Sequence, residues 1–221
     1  MVNGQEFDNL SDAVASVPSG KVEITLDDDA DSSGLITQSG QDITVNLNGH
    51  DLVITSPVGS PGTETLAFQF LKGSKVTIKN GILKAPEDKP NIKMLVQNYS
   101  DLVLDNVICE GNANIQYVVS NNFGSCTFKN GTTVNAVGNN VAFDVWYGMK
   151  ADYDDGVAVE IADKSVVING RYEYGKASRA SQADFETKAF LYKPNGYVLS
   201  PLSGYEWVEE SGKQRLVAVQ Q

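Results

Sequence analysis

The chain has 221 residues, with 17 Lys plus Arg against 28 Asp plus Glu, for a formal net charge of −11. That field repels phosphate backbones and anionic headgroups, so neither nucleic acid nor a membrane is expected as a partner. The 41% hydrophobic content suffices for a core, yet no apolar run approaches the ~20 residues that span a bilayer, and two cysteines, Cys109 and Cys126, are too few for a disulfide scaffold.

Met1 is followed by Asn3, Gln5, Glu6 and Asp8 instead of a basic and then apolar leader, so no secretory signal is expected. Helix signals are confined to Asn9–Val17, where Asn9 can cap, Asp12 sits near the positive end, and Leu10, Ala13, Val14 and Val17 form an apolar stripe. Pro18-Ser19-Gly20 ends it. Val22–Leu26 alternates strictly and predicts a strand, which runs into the acidic segment Asp27–Asp31.

The segments that follow align with one another. Ile43–Gly49, Lys75–Gly81, Asp101–Asn106 and Ser125–Gly131 each alternate apolar and polar residues and close on Asn, at positions 48, 80, 106 and 130. The intervals are 32, 26 and 24 residues, the first lengthened by the Pro/Gly-rich stretch Ser56–Gly62. Upstream, Phe68 and Phe70 stand before Val76 as Met94 and Val96 stand before Leu102, and Asn98 aligns with Asn122. A unit near 25 residues with short strands and no helix is too short for a propeller blade and unlike leucine-rich or ankyrin units. It predicts an all-β, single-stranded parallel β-helix, with coils stacked about 4.8 Å apart. Val45, Val76, Leu102 and Cys126 are expected in one inward column, and Leu47, Ile78, Leu104 and Phe128 in a second. Asn suits the turns because it tolerates left-handed backbone and can bond the equivalent Asn of the next coil.

Gly156–Ile161 and Ser165–Tyr172 read as further coils. Phe190, Tyr192, Tyr197, Tyr205, Trp207 and Leu216–Val219 read as an aromatic antiparallel meander that closes the stack. The expected organisation is an N-terminal helical cap over 1–20, the parallel β-helix over 21–175 and a β-rich C-terminal cap over 176–221.

Val45-Asn46-Leu47-Asn48-Gly49-His50-Asp51-Leu52 resembles the Leu-Asn-Gly-His rung of pectin-lyase-like right-handed β-helix proteins, which are common among bacterial surface proteins and phage structural proteins. The resemblance extends from the Asn9–Val14 helix to about Tyr174 and implies the right-handed form of the fold. This scaffold hosts lyases, hydrolases, adhesins and virion proteins alike. Lyases of this kind use an Asp cluster for calcium with an Arg or Lys base, and the hydrolases use paired carboxylates on neighbouring coils. Here the three arginines, Arg171, Arg179 and Arg215, all lie late in the chain. Of the galacturonan-hydrolase motifs only Asp154-Asp155 is present, and the sole histidine, His50, is followed by Asp51 instead of Gly and reads as a turn residue.

Two acidic loops are candidate sites. Asp27, Asp29 and Asp31 alternate as carboxylates do in calcium loops, without the downstream bidentate Glu of an EF-hand, and also read as a solvated turn. Trp146–Asp155 interrupts the coil pattern. Its aromatics Trp146, Tyr147 and Tyr153 could stack on sugars or anchor a protein, and Asp144, Asp152, Asp154 and Asp155 are the carboxylates a catalytic site would draw on. Both cysteines read as small buried apolar residues.

With no complete catalytic set, the expected function is a non-enzymatic structural or attachment protein, a phage virion component such as a capsid decoration, head-fibre or tail-associated protein, located in the virion and requiring no cofactor, with calcium on Asp27, Asp29 and Asp31 as the alternative. Its expected partners are a capsid or other virion protein and a host-surface glycan, and homotrimers follow from the resemblance alone. The alternatives are a polysaccharide lyase or glycoside hydrolase, and a glycan-binding adhesin module at a bacterial cell surface.

Overall fold

The computed structural model describes residues 5–89, 91–148, 153 and 155–219. It is an all-β arrangement of parallel sheets, in which the chain visits three stacks of strands in the same order in every repeat. The first stack pairs Gly20–Thr25, Gln41–Asn46, the first half of Lys75–Lys84, the first half of Asp101–Glu110, Gly124–Lys129, Val157–Ile161 and Ala189–Pro194, all in parallel. The second stack runs from Ala30–Ser33 through Asp51–Ser56 and the later halves of the two long strands to Thr133–Asn135 and Val167–Asn169. The third is six-stranded, from Leu35–Ile36 through Leu66–Phe70, Met94–Asn98, Tyr117–Asn121 and Val141–Tyr147 to Arg171–Lys176.

The corner between the first two stacks explains the recurring Asn. Asn48, Asn80, Asn106 and Asn130 have φ of 55°, 61°, 53° and 53°, left-handed values that let one residue turn a strand without leaving the ladder. The side-chain ladder is partial: Asn106 Nδ2 donates to Asn80 Oδ1 at 3.1 Å, but Asn80 donates to Asn46, and Asn130 to Asp105. At this position Asn106→Gly should be nearly neutral, whereas Asn106→Val should lower stability by about 1–2 kcal/mol. Equal urea midpoints for the two variants would contradict the assignment of strain to this corner.

The first repeat departs from the expected register. Asn46 pairs with Lys79 and Asp51 with Ile82, so Leu47–His50 spans a corner that Asn80–Gly81 spans with two fewer residues. The inward columns are therefore Ile43, Val76, Leu102, Cys126 and Val159, beside Val45, Ile78, Leu104, Phe128 and Ile161. Leu47 belongs to neither; it is buried in the enlarged corner against Gly81, where a Cβ would lie 2.5 Å from that of Leu47. Asn98 pairs with Asn121, not with Asn122. Both residues are fully buried, and Asn98 Nδ2 donates to Asn121 Oδ1 at 2.6 Å.

Leu10–Ala15 forms the expected helix, capped by the Asn9 side chain, with Leu10, Ala13 and Val14 buried. Gln41 of the next repeat ties its end down, donating to the carbonyls of Val14 and Val17. At the other end the first stack continues past residue 175. Gln182–Lys188 forms a short helix that leads into Ala189–Pro194, so Phe190 and Tyr192 lie on a parallel strand of the stack. Lys213–Ala218 then pairs antiparallel with that strand and with Tyr205–Glu210. The terminal strand carries Glu206, Glu209 and Glu210, charges that discourage edge-to-edge pairing.

Candidate functional site

In Val141–Tyr147 the alternation of a strand sends Phe143, Val145 and Tyr147 into the core and Asp144 and Trp146 outward. Tyr147 is 1% exposed, and it thus offers no surface to a ligand, contrary to the sequence expectation for this residue. Trp146 is 37% exposed. Its indole packs against Gly175 of the next repeat, where a Cβ would come within 2.8 Å of the ring, so glycine is what lets the indole approach this closely.

Trp146 forms one wall of a cleft of about 220 Å³ completed by Tyr99, Asn122, Gly148, Tyr153 and Arg179. The Tyr153 ring sits 5.1 Å from that of Tyr99 and meets Phe123 edge-on at 5.2 Å. Arg179 Nε donates to the Gly148 carbonyl at 2.7 Å. A second cleft of about 230 Å³ adjoins the first across Tyr99 and is lined by Lys72, Ser100, Phe123 and Asp155. Lys72 holds this end together: its ammonium pairs with Asp155 at 3.0 Å and lies 4.8 Å over the Phe123 ring. Tyr153 and Asp155 thus run back along the turns of earlier repeats.

The candidate carboxylates separate. Asp155 is exposed and paired with Lys72, Asp152 and Asp154 lie outside the described residues, and Asp144 is buried at 4% exposure. Asp144 stands in register between Ser120 and Glu173 of the adjacent repeats. Burial pushes its carboxyl up to about 7, the Asn121 amide at 2.6 Å and the Ser120 hydroxyl at 3.1 Å oppose that shift, and the Glu173 charge adds to it. Glu173 in turn pairs with Arg171 and accepts from the Tyr117 hydroxyl at 3.2 Å.

At the opposite end Asp27 and Asp31 do not join a cation site with Asp29, as the alternation of the acidic run suggested. Among the described residues, the group whose ligand atoms lie within 4.8 Å of one another is Asp28, Asp29 and His50, because the His50 corner stacks over the Asp28-Asp29 turn. His50 Nδ1 is 3.4 Å from Asp29 Oδ1, which also accepts from the Asp51 amide at 2.9 Å. That amide bond holds the Asp29 carboxyl below its ordinary value. Cys109 and Cys126 are both free and buried; burial pushes the Cys109 thiol up to about 12 and Cys126 well above its ordinary value, so neither is a nucleophile at neutral pH.

Sequence reasoning missed Tyr99, Asn122 and Arg179 in the cleft and Ser120 and Glu173 beside Asp144. The signal for Tyr99 and Asn122 was present: they follow Asn98 and Asn121, which pair across adjacent repeats, and aligning Asn98 with Asn122 instead hid it. Comparison with family models, curated proteins and solved structures finds no match. Among the described residues no helix is long and apolar enough to cross a membrane.

Proposed function

We propose that the stacked repeats are a right-handed, pectin-lyase-like parallel β-helix and that the chain is a non-enzymatic attachment module of a phage particle, with the Trp146 cleft as its site for a host-surface glycan. The partly exposed Trp146 indole, set against Gly175 and lining one cleft with the Tyr99–Tyr153 pair, carries this reading. Sugars present apolar C–H faces that stack on aromatic rings while their hydroxyls bond polar groups at the rim, here the amide of Asn122. The stack supports the same role, because interior parallel strands leave few backbone groups open to water.

Trp146→Ala should abolish binding on a bacterial-glycan array, and Gly175→Val, which drives a side chain into the indole, should weaken it at least about tenfold. Light scattering and probing of intact particles should find the chain in a particle-bound or defined oligomeric state. An array with no ligand, or one unaffected by Trp146→Ala, would overturn the glycan assignment.

The raised Asp144 carboxyl favours a second reading, a glycoside hydrolase with Asp144 as proton donor. That reading requires release of reducing ends from a glycan panel, lost in Asp144→Asn. The depth of Asp144 and its two hydrogen bonds weigh against it.

A further inference from the structure

At the corner that leads from the third stack into the first, Lys72, Tyr99 and Phe123 come from three successive repeats, and Tyr153 and Asp155 reach the same corner from the connection that follows Val141–Tyr147. The rings are turned across one another: Tyr153 is tilted by 58° against Tyr99 and by 82° against Phe123. What they hold is a cation. The Lys72 ammonium lies 4.8 Å from the centre of the Phe123 ring and 5.9 Å from that of Tyr153, with the Asp155 carboxylate 3.0 Å away. Phe123 is only 7% exposed with that side chain lying over it, while the Lys72 and Asp155 side chains stay 42% and 74% exposed, so the seat itself opens to water.

Aromatic faces with a carboxylate beside them are the elements with which proteins bind quaternary ammonium groups. We propose that this corner binds a trimethylammonium group, as in choline, and that Lys72 is its internal competitor, seated on the rings until the ligand displaces it. A lysine ammonium is strongly hydrated and gives up water to lie over a ring. A trimethylammonium has no N–H to desolvate and presents methyl groups to the same faces. The pair with Asp155 opposes the exchange only weakly, because ion pairs this exposed contribute little. Lys72 has a flexible stem that can carry its charge back into water, and Asp155 stays behind to neutralise the incoming cation. The net charge of −11 draws cations to the surface. This inference does not rest on the glycan reading, and its test involves no sugar.

Choline titrated into the full chain should shift the ring protons of Phe123 and Tyr153 in the NMR spectrum with a millimolar Kd. Its neutral isostere 3,3-dimethylbutan-1-ol and the primary amine ethanolamine should each bind at least about tenfold more weakly. Lys72→Ala removes the competitor and should tighten choline about fivefold. Lys75→Ala removes an equal charge from the lining of the same cleft and should tighten it less than about twofold. Phe123→Leu keeps an apolar side chain under the seat and, combined with Lys72→Ala, should abolish the fivefold gain. No saturable shift in the Lys72→Ala variant would overturn the proposal, as would equal affinity for choline and either analogue, equal gains from the two lysine variants, or choline binding undiminished by Phe123→Leu.

Discussion

Asn98→Ala is expected to be among the most damaging single substitutions in the chain, costing about 3–5 kcal/mol, because it strands several buried polar groups at once. The Asn98 amide donates to the carbonyls of Ser100 and Ser125 and to Asn121 Oδ1, and its oxygen accepts from the Ser100 amide and hydroxyl. Apart from the part-buried bond to Ser125, these bonds are buried, where lost partners are not replaced by water. Asn121→Ala should cost less, since it removes one bond to Asn98 and one to the Ala158 carbonyl. Asn122→Ala should cost under about 1 kcal/mol, as its half-buried side chain makes one donation among the described residues, to the Ser120 hydroxyl. Urea unfolding of the three variants orders them, and an Asn122 variant as unstable as the Asn98 variant would mean the buried ladder has been placed one residue out.

The same pair shows what the sequence could and could not reveal. Period, strand alternation and the four left-handed Asn corners were legible because each depends on local chemistry repeated every coil: β-forming apolar residues in pairs, then a residue that tolerates positive φ. Register was harder. A corner can absorb extra residues without breaking the pattern, as Leu47–His50 does, and the inward columns then shift by two while every strand still alternates. Asn98 and Asn122 look equivalent by distance to the next strand, yet pairing is set by backbone hydrogen bonds within the third stack, which join Asn98 to Asn121.

The candidate site was legible as a place and not as a constellation. Trp146 and Tyr153 sit in an evident interruption of the pattern, but their neighbours Tyr99 and Arg179 come from a turn and a loop far along the chain in either direction. The contact between Lys72 and Asp155 spans 83 residues and several repeats, and no local pattern announces it. The burial of Asp144 was hidden for a related reason. Alternation correctly puts it on the outward face, where carboxylates are ordinarily wet, and only the side chains stacked above and below it remove the water.

That burial gives the second large effect, a pH dependence of stability that Asp144→Asn should remove. In the unfolded chain the carboxyl titrates near 3.8, and in the folded chain near 7. Between those values the folded state holds the proton more tightly, so folding is favoured at the acidic end and its advantage is lost as pH rises through 7, by about 4 kcal/mol in total. Glu173 is the like charge that makes ionisation harder, with Arg171 and the Tyr117 hydroxyl already engaged on it, and the Ser120 hydroxyl and Asn121 amide are the groups that soften the cost. Asparagine keeps an oxygen for the Asn121 amide and carries no charge to desolvate. Relative to the parent, the variant should therefore gain stability from pH 5 to about pH 7 and level off above it in urea titrations, and Glu173→Gln should reproduce part of that gain by removing the neighbouring charge. Parallel stability curves for parent and Asp144→Asn across this range would mean that Asp144 ionises freely in the folded chain, and the third stack would then have to admit water between Ser120 and Glu173.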